Sequence, residues 1–134
     1  MKLTITLCLT IAVLLGTTAH AETVLYCQSE LATGLLKENG RWRTGKFVKE
    51  RFTIKFNSDY TKLYGLDKNR PFNCNVPFSF IPDSIACVSG YGNGEAFLFD
   101  KEKLRFLFSN IAITGFVGDG SSTENLYAGN CKKF

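Results

Sequence analysis

The chain has 134 residues, of which 45% are apolar and 21% charged, with 16 basic and 12 acidic side chains, five cysteines, one histidine and 18 aromatic residues. That length accommodates one domain with a real hydrophobic core and no need of a metal staple. The balance of apolar and charged residues excludes a disordered or collagen-like chain.

The first segment reads as an export signal. Met1-Lys2 precedes an apolar stretch from Leu3 to Leu15, and Gly16-Thr17-Thr18 leads to Ala19-His20-Ala21, the small-x-small pattern of a signal peptidase site. The stretch is shorter than the ~20 apolar residues of a spanning helix, which argues against the alternative of a membrane anchor. The expected division is therefore a cleaved signal over 1–21 and a single domain over 22–134, placing the protein in a periplasm or outside the cell. Cleavage between Ala21 and Glu22 removes Cys8, His20 and Lys2, leaving 113 residues with four cysteines, no histidine and a net charge of +3. An even cysteine set suits an oxidising compartment.

Strand signals dominate the remainder. Glu22–Gln28 alternates, and Thr33–Glu38 and Arg41–Thr44 flank Asn39-Gly40, a two-residue hairpin signal. Lys46–Phe56 ends with Phe52, Ile54 and Phe56 on one face and Arg51, Thr53 and Lys55 on the other, a sheet with one wet side. Asn57-Ser58-Asp59 is a turn before a short strand at Thr61–Leu66. Asn73–Phe80 and Ser84–Ser89 are strand candidates on either side of Pro82-Asp83. Gly90 to Gly94 is a glycine-rich turn, and Glu95–Asp100, Leu104–Ser109 and Asn125–Lys133 complete the set, with Ile111–Val117 extending or following the strand before it. Turn signals every 8–12 residues or so, with no apolar 3.6-residue period, predict an all-β fold: one antiparallel barrel or sandwich of about eight or nine strands.

Four cysteines allow three pairings. Cys27–Cys131 is preferred because the first and last strands become neighbours when a meander closes, which leaves Cys74–Cys87. A tight turn at Pro82-Asp83 would set Cys87 opposite Phe78, so the second bridge requires an earlier turn or strands from facing sheets. Zinc is the alternative reading, with no C-x-x-C pair and no histidine to support it.

Short motifs across the whole mature chain resemble a diffuse group of small exported bacterial all-β proteins of uncharacterised function. They are Tyr26-Cys27, Gly40-Arg41-Trp42, Phe52-Thr53-Ile54-Lys55-Phe56, Leu104-Arg105-Phe106 and Gly129-Asn130-Cys131. The resemblance implies export and a β fold and carries no activity. Ser89-Gly90-Tyr91-Gly92-Asn93-Gly94 is similar to the Ser-Gly-x-x-Tyr loop with which periplasmic inhibitors of c-type lysozyme plug their enzyme. Those inhibitors are also small disulfide-linked barrels with a Tyr-x-Cys start. Here Asn93 stands where that tyrosine would, and a chain of net +3 gains no steering toward a basic lysozyme.

Without a mature histidine, Ser-His-Asp, Cys-His and His-metal chemistry is unavailable. No phosphate-loop or nucleophile-elbow motif occurs. A carboxylate pair for hydrolysis is conceivable among Asp59, Asp67, Asp83, Glu95, Asp100 and Glu102, although most of these sit in predicted turns, where acids serve turn chemistry. The oxygen-rich Gly118–Glu124 stretch lacks the alternating acids of a calcium loop and reads as surface loop. No cofactor or metal is expected.

Charge is unevenly spread. Lys37 to Lys55 carries seven bases against Glu38 and Glu50. Arg41, Arg43, Lys46, Lys49 and Arg51 are the candidate contacts for an anionic partner: an anionic glycan, a lipid headgroup or an acidic protein, with nucleic acid the least favoured because the chain is exported and has no RNP- or OB-type signature. The opposing reading is a solvated sheet face with Trp42 in the core. The aromatics are similarly open: Phe97 and Phe99 alternate with Ala96 and Leu98, so that strand is apolar on both faces and implies a covered edge, an apolar cavity or an exposed patch. The leading expectation is an exported, non-catalytic binding or accessory protein. An inhibitor of a host or bacterial enzyme using Ser89, Gly90, Tyr91 and Asn93 is the second, and a carboxylate hydrolase the third.

Overall fold

The computed structural model describes residues 21–90 and 94–134. Residues 1–20, most of the expected signal and with it Cys8 and His20, lie outside the described residues, as do Tyr91, Gly92 and Asn93.

Nine antiparallel strands follow one another: β1 (Thr23–Glu38), β2 (Arg41–Lys46), β3 (Arg51–Phe56), β4 (Lys62–Tyr64), β5 (Phe72–Asn75), β6 (Ser84–Ser89), β7 (Ala96–Asp100), β8 (Arg105–Asn110) and β9 (Glu124–Lys133). The sheet order is β2-β1-β3-β4-β5-β6-β7-β8-β9, and β1 also pairs with β9. The fold is thus an eight-stranded closed barrel rather than a sandwich, with β2 as one extra strand. Closure removes the free edges that an open sheet of this size would expose.

The long first strand makes both features possible. Its first half pairs with β3 (Leu25↔Ile54, Cys27↔Phe52), and its second half pairs on the same side with β2 (Leu36↔Arg43, Glu38↔Arg41). Along its other edge β9 runs from Leu25↔Lys133 to Leu35↔Glu124. The two stretches expected as separate strands, 22–28 and 33–38, are therefore one element. A register shift between Ser29 and Leu31 marks a β-bulge where it passes from β3 to β2. Ser29 is fully buried there and holds the crossing chain: its N–H donates to the Glu50 carbonyl at 2.9 Å, and its Oγ accepts the Glu50 N–H at 2.7 Å. Across the bulge, Gly129 lies so close to β1 that a Cβ would stand 2.1 Å from the Gln28 carbonyl oxygen.

The Asn39-Gly40 turn forms as expected, with φ of 50° and 74° at the two positions, the left-handed pair that a type I′ hairpin requires. Phe52, Ile54 and Phe56 point into the barrel. Inside, Phe52 meets Phe97, Phe106 and Phe108 edge-on at 5.2–6.4 Å, while Phe97 stacks on Phe106 at 5.5 Å. Phe56, Phe72 and Phe99 fill further space among the core residues. Aromatic pairs in these geometries add about 0.5–1.5 kcal/mol each beyond area burial. This packing leaves the barrel a filled core rather than a ligand-holding calyx.

Cys27 pairs with Cys131 across the closing β1–β9 seam, and Cys74 with Cys87 across β5–β6. The second bridge is reached by the earlier turn: β5 stops at Asn75, and residues 76–83 form a wide loop that sets Cys74 directly opposite Cys87. The strand expected over 73–80 is accordingly four residues long, because Phe78 and Phe80 belong to the loop and are exposed. The apolar run at 111–117 forms turns instead of a strand. Glu124 explains that departure. Its buried carboxylate accepts the backbone N–H of Ala112 at 2.8 Å and of Phe116 at 3.0 Å, coiling the segment over the outside of the sheet.

Candidate functional site

β2 extends the sheet along the second half of β1, whose other edge carries β9 as far as Leu35↔Glu124, so only the tip beyond Leu35 is a two-stranded ribbon. Such ribbons are marginal alone, and this one is docked by its outward residues. Lys37 sends Nζ to the Asp119 carboxylate at 2.8 Å and to the Asp119 carbonyl at 3.1 Å, while lying 5.8 Å from the Trp42 ring centroid. Trp42 meets Phe116 edge-on at 5.5 Å. Trp42 therefore lies outside the barrel core, half-buried between Lys37 and the 112–120 loop. The hydrogen bond from Lys37, then its positive charge, holds the Asp119 carboxyl below the usual carboxylate range.

The ladder register sorts the five candidate cations. Arg41 and Arg43 lie opposite Glu38 and Leu36 on one side of the ribbon, whereas Trp42 and Lys46 lie opposite Lys37 and Thr33 on the other. Arg43 forms an ion pair with Glu38. Lys49 sits in the connection between β2 and β3, and Arg51 lies on the outer wall of the barrel opposite Gln28. The five do not share one face. Instead they follow the ribbon and its return to the barrel. Among the described residues, Arg41, Lys46, Lys49 and Arg51 have no ion-pair partner. At the ribbon's tip, Glu38, Asn39, Arg41, Trp42 and Arg43 line an open depression of about 570 Å³.

Sequence reasoning counts Glu50 within the basic cluster and Glu124 within the oxygen-rich loop but assigns neither a structural role. Glu50 accepts a hydrogen bond from the Tyr127 hydroxyl at 3.1 Å, and burial, followed by that carboxylate, pushes the Tyr127 phenol up from its usual value. No local pattern distinguishes either glutamate from a surface acid.

Of the inhibitor-type loop, Ser89 is buried at the end of β6, where its N–H donates to the Glu95 carbonyl at 3.0 Å, and Gly90 is exposed. Tyr91 and Asn93, the positions that would enter an enzyme cleft, lie outside the described residues. Turn chemistry engages several of the candidate acids. Asp59 accepts from the Thr61 hydroxyl and N–H, Asp67 from the Asn69 N–H, and Asp100 from the Glu102 and Lys103 N–H groups. Asp83 pairs with Lys101 at 3.8 Å. In the oxygen-rich 118–124 loop, Asp119 is held by Lys37 and Glu124 by two backbone amides, so both acids are already engaged.

Known protein families, characterised proteins and solved structures offer no match to this chain. The two disulfides fit an extracellular or periplasmic protein, and among the described residues no helix is long and apolar enough to cross a membrane.

Proposed function

We propose that the protein is an exported, non-catalytic binding protein that engages an anionic partner through the β1–β2 ribbon, an anionic glycan being the class that suits it best. The observation that carries this reading is the open depression at the ribbon tip, lined by Arg41 and the Arg43–Glu38 pair on one face of the ribbon and by Trp42 from the other. Lys46, Lys49 and Arg51, which have no ion-pair partner among the described residues, continue along β2 and its return to β3. Their distribution over both ribbon faces and the connecting loop suits a flexible linear polyanion, which can follow a curved path, better than a flat acidic protein surface. Electrostatic attraction of this kind steers association and is screened by salt.

Heparin chromatography tests the reading. The Arg41→Glu/Arg43→Glu variant is expected to elute at clearly lower salt than Lys132→Glu/Lys133→Glu, which makes the same change in net charge at the end of β9. Coincident elution of the two variants would show that only total charge matters and would remove the ribbon as the contact.

A further inference from the structure

The barrel's outer wall carries a second site, away from the basic ribbon. On β6, β7 and β8 the buried inward residues include Ile85, Cys87 and four phenylalanines, yet the outward face also carries an apolar row: Ala86, Leu98 and Leu107 lie directly across from one another on adjacent strands. Leu98 is 48% exposed and Leu107 37%. Monomeric proteins seldom leave such a patch without a use.

A wall is not yet a site, but here a loop makes it concave. Residues 76–83 stand over the wall, tied at their base by the Cys74–Cys87 bridge and folded by turn bonds from Ile81 N–H to the Phe78 carbonyl and from Ser84 N–H to the Ile81 carbonyl, both 3.1 Å. Pro77, Phe78 and Ile81 form one side of the resulting cleft, and Leu98 and Leu107 lie among the residues of the other. Its volume is about 500 Å³, within the ~300–1,000 Å³ range of small-molecule sites. Phe78 is about half exposed and stacks on Phe80 at 5.3 Å, so the loop presents an aromatic rim rather than burying it.

The charges at one end of the cleft select the ligand. Asp100 and Arg105 are the charged residues of the lining, and they are direct cross-strand partners. They nevertheless form no ion pair. The Asp100 carboxylate turns into the β7–β8 turn, where it accepts the N–H groups of Glu102 at 3.0 Å and Lys103 at 2.7 Å and meets Lys103 Nζ at 3.7 Å. Asp83 nearby is matched by Lys101. With Asp83 paired to Lys101 and Asp100 to Lys103, Arg105 beside the apolar cleft has no ion-pair partner among the described residues, and Glu30 on its other flank accepts a hydrogen bond from Asn130. A guanidinium in that position suits a carboxylate, which it can hold by two parallel hydrogen bonds.

We propose that this cleft binds a free single-chain anionic amphiphile, a fatty-acid-like carboxylate, with its alkyl chain against Phe78, Ile81, Leu98 and Leu107 and its head group on Arg105. The chain replaces water over the exposed apolar wall, and the filled barrel core takes no part.

Titration of the disulfide-intact protein with decanoate below its micelle concentration, followed by amide NMR and calorimetry, tests this. The expected result is saturable one-to-one binding with shifts confined to 76–86 and 98–107, and at least tenfold weaker binding of decyltrimethylammonium. Leu98→Asp should weaken decanoate at least tenfold, and Arg105→Glu should reverse the preference between the two head groups. If Leu98→Asp fails to fold, Phe78→Ser, on the exposed loop, should give the same loss. Non-saturating uptake, shifts elsewhere, or equal affinity for the two amphiphiles would overturn the proposal. So would a dimer in sedimentation that Leu98→Asp dissociates, since a second copy would then occupy the wall.

Discussion

Removing the Cys27–Cys131 bridge should destabilise the protein more than any other single covalent change. The two cysteines are buried and directly paired where β1 meets β9, the contact that closes the barrel. They are separated by 104 residues, against 13 for Cys74–Cys87. Treating a disulfide as a restraint on the unfolded chain, the long loop contributes roughly 4–5 kcal/mol and the short one about 3 kcal/mol. The Cys27→Ala/Cys131→Ala variant should therefore lose about 2 kcal/mol more than Cys74→Ala/Cys87→Ala. Against a total of ~5–15 kcal/mol for a domain of this kind, either loss is a large share of the stability, and the first is the larger. Urea unfolding of the two variants and the parent, compared at a common slope, measures the difference. Equal losses, or a greater loss from the short bridge, would refute the reasoning, because the seam would then be held by its backbone ladder without help from the restraint.

Three further outcomes are expected. Gly129→Ala should cost at least about 2 kcal/mol by urea unfolding, since its Cβ would collide with backbone at the β1 bulge rather than with a side chain that can move. Lys37→Met should return the Asp119 carboxyl toward its ordinary value in an NMR pH titration. In the parent that carboxyl is lowered on folding, so its contribution to stability is present above the ordinary carboxylate range and is lost as the pH falls through the folded value; in Lys37→Met most of this dependence should vanish. Glu124→Gln leaves one carbonyl oxygen where two carboxylate oxygens served two amides, so hydrogen exchange at the Ala112 and Phe116 amides should accelerate while that of β8 stays slow. Unchanged exchange at those two amides would show that the segment holds its turns without the glutamate.

Much of the barrel is legible where a strand has one wet face or a turn needs a special backbone. Phe52, Ile54 and Phe56 alternate with Arg51, Thr53 and Lys55, and Asn39-Gly40 supplies two left-handed positions, so both elements announce themselves locally. Of the three disulfide pairings that sequence allows, the preferred one forms, because the first and last strands do meet when the barrel closes. What stays hidden depends on partners far away in the chain. Nothing within 22–38 reveals that one strand serves three neighbours, because the bulge at Ser29 is defined by Glu50 and Gly129. The apolar runs at 76–81 and 111–117 look like strands but lack a ladder to join: the first has a disulfide at its base and the second is wrapped around Glu124. The charge cluster was visible as composition, whereas its division between ribbon faces depends on the register of β1 with β2.

The ribbon is the centre of the functional account, and amide NMR of the protein titrated with a sulfated oligosaccharide tests it most directly. Saturable shifts concentrated at residues 37–51, suppressed by added salt and lost in Arg41→Glu/Arg43→Glu, are the result expected. Shifts absent from that segment, or spread evenly over every exposed lysine and arginine, would contradict it.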